Sequence, residues 1–231
     1  MSPGLSIAIV GAESTGKSML AAMLSQRVAD MTGLCCTCVP EYLREWCDQH
    51  GRTPRADEQR AIAHEQAHRI QAAARDHDLV FADTTPLMTA VYSELLFNDT
   101  SLYDIALQAH QGYALTLLMA LDLPWIADGL HRDGPHVREP VDRAVRAALL
   151  RASVAWSVVS GSGEARIDSA LDAITPVVLQ RPSPSRNGLF TRLQSRQAAQ
   201  PAWQWVCEKC DVPECEHRTL ANRASYTHKP G

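Results

Sequence analysis

Leu5-Ser6-Ile7-Ala8-Ile9-Val10-Gly11-Ala12-Glu13-Ser14-Thr15-Gly16-Lys17-Ser18 joins a short apolar run to a complete G-x-x-x-x-G-K-S pattern. The apolar stretch Met19-Leu20-Ala21-Ala22-Met23-Leu24 follows at once and reads as a helix. A strand before the pattern and a helix after it let the loop's backbone N–H groups ring an anion at a helix N-terminus. The alternative is a chance Gly/Ser turn, and the flanking elements argue against it. On the functional reading, residues Gly11, Ala12, Glu13, Ser14, Thr15, Gly16, Lys17 and Ser18 hold the phosphates of a nucleoside triphosphate. Lys17 reaches the β- and γ-phosphates, and Ser18 is a ligand for Mg²⁺.

Outward from this loop, five apolar runs at 5–10, 35–39, 79–83, 114–119 and 155–159 alternate with helical patterns at 17–31, 56–76, 85–97, 101–110, 138–152 and 164–174. Continuous apolar strands separated by helices predict an α/β three-layer sandwich with a mostly parallel five-stranded sheet. The first strand belongs in the sheet interior. Segment 123–137 is irregular and charged, and sits where a lid over the phosphates would lie. The Pro/Ser-rich stretch beginning at Arg181-Pro182-Ser183-Pro184 marks a linker. The expected organisation is a P-loop domain at 1–180, a linker at 181–202 and a small cysteine-bearing tail at 203–231.

Bulk properties narrow the function. The 231 residues are 45% hydrophobic with a formal net charge of −4, so no basic excess suggests a nucleic-acid surface. No apolar run approaches the ~18 residues of a membrane span, and the first strand begins too early to leave room for a signal peptide. The seven cysteines fall four within the first 50 residues and three near the end. That is not a disulfide framework, and it points to the cytoplasm, with free thiols or a metal. Cys35, Cys36, Cys38 and Cys47 read as buried small residues.

Four constellations carry chemistry. Asp83 closes the third strand beside the loop, either as the second Mg²⁺ anchor or as a helix N-cap. Glu41 and Arg44 follow the second strand, at the edge where open parallel sheets bind ligands. They read either as a carboxylate and guanidinium for a hydroxyl-bearing acceptor or as a surface i,i+3 ion pair. Trp125, Asp128, His131, Arg132 and Arg138 lie in or beside the lid segment. Arg132 is the candidate to neutralise charge on a transferring phosphoryl group; the alternative is a solvated charged loop. Finally, Cys207, Cys210, Cys215 and His217 give C-x-x-C-x₄-C-x-H, which reads as a structural Zn²⁺ knuckle or as a tail with spare thiols.

Taken together, these pieces resemble the nicotinamide-riboside kinase domain of bacterial NadR proteins and the wider AAA group of P-loop NTPases around it. The resemblance rests on residues 11–18, Pro40-Glu41-Tyr42-Leu43-Arg44-Glu45-Trp46, His64-Glu65-Gln66, Phe81-Ala82-Asp83-Thr84-Thr85 and Leu123-Pro124-Trp125-Ile126-Ala127-Asp128-Gly129-Leu130, and spans roughly residues 5–175. It implies phosphoryl transfer from ATP, with Mg²⁺, to the 5′-hydroxyl of nicotinamide riboside. Lys17, Asp83, Glu41 and Arg132 would be catalytic, and Glu41, Tyr42, Arg44, Trp125 and Asp128 would contact the small-molecule riboside. The chain departs from the family pattern at Pro40, where an aromatic residue commonly precedes Glu-Tyr. It departs again at Thr85, which replaces the second Asp of Asp-Thr-Asp, and at His131, which stands at an Arg position. Full-length NadR proteins also carry a helix-turn-helix and an adenylyltransferase domain. No H-x-G-H motif appears here, and both activities are expected to be absent. A kinase for another nucleoside-like metabolite and a non-catalytic ATP-binding regulatory module are the alternatives.

Overall fold

Three strands are enclosed on both faces: β1 (Leu5–Val10), β3 (Leu79–Asp83) and β4 (Leu115–Met119). Their predominantly apolar content is what a strand covered by helices on each side requires. With β2 (Cys36–Val39) and β5 (Trp156–Val159) they form one sheet in the order β2-β3-β1-β4-β5, every neighbouring pair parallel. The computed structural model describes residues 3–126 and 134–181. The expected sandwich is observed, with β1 at the sheet centre.

Helices α1 (Lys17–Thr32) and α7 (Glu164–Val178) pack together and against the strands on one face. On the other lie α3 (Gln59–Asp76), α4 (Pro86–Phe97), α5 (Tyr103–His110) and α6 (Arg138–Ala152), packed over Ala8, Val10, Val80, Ala82 and Leu118. Helix α2 (Tyr42–His50) follows β2 and rests on α3. Burial runs along α1 at Leu20, Leu24 and Val28, the four-residue spacing of a helix stripe. Helix α7 runs past its expected end at 174 because Ile174, Val177 and Val178 are all buried, and this outweighs Pro176 in its last turn.

One expectation needs correcting. Of the four cysteines at 35–47 only Cys47 is buried; Cys36 and Cys38 are half-buried and Cys35 is exposed. The reason is topological: β2 is an edge strand, paired with β3 alone. Burial still pushes the Cys36 and Cys38 thiols up to about 12 and about 11, so they stay protonated at neutral pH.

The described residues lie in the first of two units, Met1–Arg186 and Asn187–Gly231. Asp128, His131 and Arg132, and the tail residues Cys207, Cys210, Cys215 and His217, lie outside the described residues. Among the described residues no helix is long and apolar enough to cross a membrane.

Candidate active site

The sheet register brings the pieces together. Ile9 of β1 pairs with Asp83 of β3, so the first strand enters its loop beside that carboxylate. The chain turns at Gly11, at φ +145°, where a Cβ would sit only 3.0 Å from Met119 Cβ; the turn needs glycine. Gly16, at φ +80°, is the left-handed N-cap of α1. Within the loop the Thr15 hydroxyl and the Lys17 ammonium both donate to the Ala12 carbonyl, each at 2.8 Å. Ser14 Oγ accepts from the Ile126 N–H at 2.8 Å and donates to the Ile126 carbonyl at 3.2 Å. The loop is therefore fastened to Ile126, in the segment that the sequence marks as a candidate lid.

Asp83 is 3% exposed. The Ser18 hydroxyl donates to its carboxylate, while Oδ1 accepts no hydrogen bond. Burial raises its pKa and the neighbouring Glu41 adds to this, against the Ser18 hydrogen bond and the Lys17 charge. A buried carboxylate oxygen without a donor, next to a serine hydroxyl at a helix N-terminus, suits a hard cation. Among the described residues no three His, Cys, Asp or Glu side chains form a metal cluster.

Beyond Asp83 opens a cavity of about 570 Å³. Among the described residues, four carboxylates line it, from Glu41, Glu45, Asp48 and Asp83, with Arg44 as the one cationic lining residue. Arg44 Nε donates to Glu41 Oε2 at 2.9 Å, so this pair forms the i,i+3 ion pair that its spacing allows and is also part of the cavity wall. Glu45 takes a forked pair of hydrogen bonds from Arg69, at 2.5 and 3.1 Å, which holds its carboxyl below the usual range. The Arg69 guanidinium also sits 4.3 Å from the Tyr42 ring centroid. Trp46 is buried and stacks on His50 at 3.9 Å, with Arg52 over its ring at 5.0 Å. Neither ring is among the cavity-lining residues; Pro40 is.

On the lid side, Trp125 is half-buried and its indole N–H finds no acceptor. Arg138 opens α6 and is 8% exposed; its Nη1 donates to the Leu123 carbonyl at 2.9 Å, while Nε and Nη2 have no partner. Behind the site, His110 is 1% exposed and hydrogen-bonds Thr116 through Nε2 at 2.9 Å and Thr85 through Nδ1 at 3.5 Å. Burial lowers its pKa to about 4, so it is neutral.

Sequence reasoning missed Arg166 and Asp122. Arg166, 5% exposed, lies in the first turn of α7 and reaches under the phosphate-binding loop. The one signal was positional, since a cation in the first turn of a helix opposes the helix dipole and needs another reason to be there.

Residues 6–166 match a family model described as an AAA domain. No curated protein matches the chain. Among solved structures, a NadR protein in complex with NR is 18% identical with a TM-score of 0.60, covering 75% of this chain and 50% of that one. A NadR protein in complex with NAD and AMP-PNP is 17% identical with a TM-score of 0.59, covering 75% and 49%. A thymidylate kinase from Ehrlichia chaffeensis is 14% identical with a TM-score of 0.54, covering 76% and 100%. The chain spans about half the length of the NadR chains, and at these identities the likeness is one of fold.

Proposed function

The chain belongs to that AAA-domain family of P-loop NTPases, and we propose that it is an ATP-dependent small-molecule kinase whose acceptor is a cationic riboside, nicotinamide riboside first among them. The observation that carries the reading is the shared wall. Ser18 of the phosphate loop, Asp83 of β3 and Glu41 of the β2–α2 junction line one cavity. A phosphoryl donor held at the loop and an acceptor hydroxyl held at Glu41 then face each other across it.

In this arrangement Lys17 leaves the Ala12 carbonyl to meet the β- and γ-phosphates. Ser18 and Asp83 would hold Mg²⁺, which neutralises phosphate charge when bound. Glu41 hydrogen-bonds the acceptor 5′-hydroxyl and receives its proton as the oxygen attacks the γ-phosphorus and the bond from that phosphorus to the β–γ bridging oxygen breaks, releasing ADP. Arg44 orients Glu41. Arg138, whose Nε and Nη2 have no partner, would meet the charge that develops on the transferring group. Arg132, Trp125 and Asp128 belong to the same proposal as lid contacts, and Tyr42 acts by holding Arg69 against Glu45.

The lining also bears on the acceptor class. A phosphate monoester carrying close to two negative charges and a carboxylate ~5 Å apart repel by about 5–7 kcal/mol at an effective dielectric of 20. With Glu41 paired to Arg44 and Glu45 to Arg69, the described wall still carries Asp48 and Asp83, which favours an acceptor carrying positive charge over a nucleoside monophosphate. A pyridinium riboside has that charge. The test is ADP formation by purified protein with ATP and Mg²⁺ against nicotinamide riboside, uncharged ribosides and nucleoside 5′-monophosphates. Turnover fastest with the cationic riboside supports the reading. ADP formation that no acceptor accelerates overturns it.

A further inference from the structure

A phosphate-binding loop works only if its amide N–H groups face inward. Its carbonyls must then face outward, and outward here means into a dry region between α1, β4 and α7, because Thr15 is fully buried. An outward carbonyl left without a donor in such a region is costly, and the loop would relax by rotating its peptide planes. Arg166 supplies the donors. Its Nη2 donates to the Thr15 carbonyl at 3.0 Å and to the Ala120 carbonyl, just past β4, at 3.3 Å. Its Nη1 donates to the Gly161 carbonyl at 2.6 Å and to Asp122 Oδ1 at 2.7 Å. Asp122 Oδ2 in turn accepts the Gly161 N–H at 2.6 Å. Burial acts to raise the Asp122 carboxyl, but the Arg166 and Gly161 hydrogen bonds prevail and hold it below the usual carboxylate range.

One guanidinium thus ties three segments that are distant in sequence: the phosphate loop, the end of β4 and the turn after β5. We propose that Arg166, held by Asp122, is a positioning residue for nucleotide binding, which fixes the Thr15 peptide plane so that the loop amides stay aimed at the phosphates. The Arg fork suits this task because it serves four acceptors from one plane. A lysine ammonium has three donors on a flexible stem and cannot serve the same set. The inference rests on reading residues 11–18 as a nucleotide phosphate loop. It does not depend on the acceptor.

The experiment uses the full chain and three variants, Arg166→Lys, Arg166→Met and Asp122→Asn. Two quantities are read: the dissociation constant of a fluorescent ADP with Mg²⁺, and amide hydrogen exchange resolved by segment. The expected result is binding weakened at least tenfold in Arg166→Lys, with faster exchange confined to residues 11–18 and 120–122 and unchanged exchange in β3. Asp122→Asn, which keeps the guanidinium but frees it, should show a smaller change of the same pattern. Binding within twofold of the parent in Arg166→Lys overturns the proposal. So does a uniform rise in exchange across all strands with unaltered affinity, which would make Arg166 a general structural residue. If Arg166→Met fails to fold, the other two variants carry the test. A parent protein that binds no fluorescent ADP refutes the nucleotide reading itself, and this inference with it. Parent binding with indifferent variants refutes the inference alone.

Discussion

Replacing Asp83 by Asn should separate stability from function in opposite directions. Asp83 is almost fully enclosed, accepts one hydroxyl from Ser18 and leaves Oδ1 without a donor. An unsatisfied buried polar group costs about 1–3 kcal/mol, and more when it is charged. Burial raises the Asp83 pKa, so the folded state holds this proton more tightly than the unfolded state does. The penalty is therefore absent below the ordinary carboxylate value and complete once pH has risen past the folded value. At pH 7 and without ligand, Asp83→Asn removes the charge at nearly constant volume and keeps an oxygen for Ser18. A gain of ~1–2 kcal/mol follows, or an increase of roughly 2–6 °C in Tm for a chain of this size. With Mg²⁺ and ADP the order should reverse. A ligand at a hundred times its Kd adds about 2.7 kcal/mol to the parent, and the variant, lacking the carboxylate, should lose most of the Mg²⁺-dependent part. Thermal unfolding of both proteins, with and without Mg²⁺-ADP, reads all four corners. A variant less stable than the parent without ligand would refute the unsatisfied-charge argument. An equal Mg²⁺-dependent shift in both would refute the metal-anchor role.

Lys17→Met should lower phosphoryl transfer by ~10²–10³-fold, the usual loss for one electrostatic stabiliser, with unfolding little changed; near-normal turnover would remove Lys17 from the mechanism. Glu41→Gln should lower kcat ~10²-fold, as expected for a lost general base, and Asp48→Asn should narrow the preference for a cationic over a neutral riboside; initial rates against both acceptors check each. His110 gives a pH dependence. Its folded pKa of about 4 lies below its ordinary value, so the unfolded state binds the proton first and stability falls as pH drops from ~6.5 towards 4, by up to about 3 kcal/mol. His110→Gln should flatten that slope in urea titrations at pH 7 and pH 4.5.

The fold was legible in the sequence because its strongest elements are also its most local. A buried parallel strand is a run of Ile, Val and Leu, and 5–18 carries strand, loop and helix start in fourteen consecutive residues. Strand boundaries came within a residue for the same reason. That two residues share the cavity wall was legible where it depends on position at strand ends, as with Glu41 and Asp83. It was not legible where it depends on pairing across the fold. Nothing near Arg166 in the sequence announces Thr15, 151 positions away. Nor does the sequence say that Trp46 spends its ring on His50, or that Arg69 reaches back to Glu45. The half-exposed cysteines of β2 show a further limit, since an edge strand and a central strand can share a composition and differ only in neighbours.

The two departures from the NadR pattern near the cavity make sense together. Thr85 stands where a second Asp would follow Asp-Thr, and it is fully buried at the N-terminus of α4. Its hydroxyl meets His110, which is held neutral by burial and bonded onward to Thr116. A carboxylate at 85 would put a charge against this dry chain and would pull the histidine towards its protonated form. A neutral hydroxyl avoids both, and leaves Asp83 as the carboxylate on that strand end. On the proposed function, the work of a second carboxylate would fall to Glu41, which lines the same cavity from another element, close enough to add to the rise in the Asp83 pKa. Pro40 completes the argument. With Pro40 in the wall and the Tyr42 and Trp46 rings engaged by Arg69 and His50, the cavity wall has little aromatic surface to offer an acceptor ring. On the proposed function, recognition of the acceptor would then rest on charge, and among the described lining residues most of that charge is carboxylate. The expected consequence is an acceptor preference that weakens as salt is added, because part of it is screened, whereas a preference built on ring stacking would persist. Measuring kcat/KM for a cationic and a neutral riboside at 20 mM and 500 mM salt distinguishes the two, and a ratio unchanged between them would reject recognition by charge.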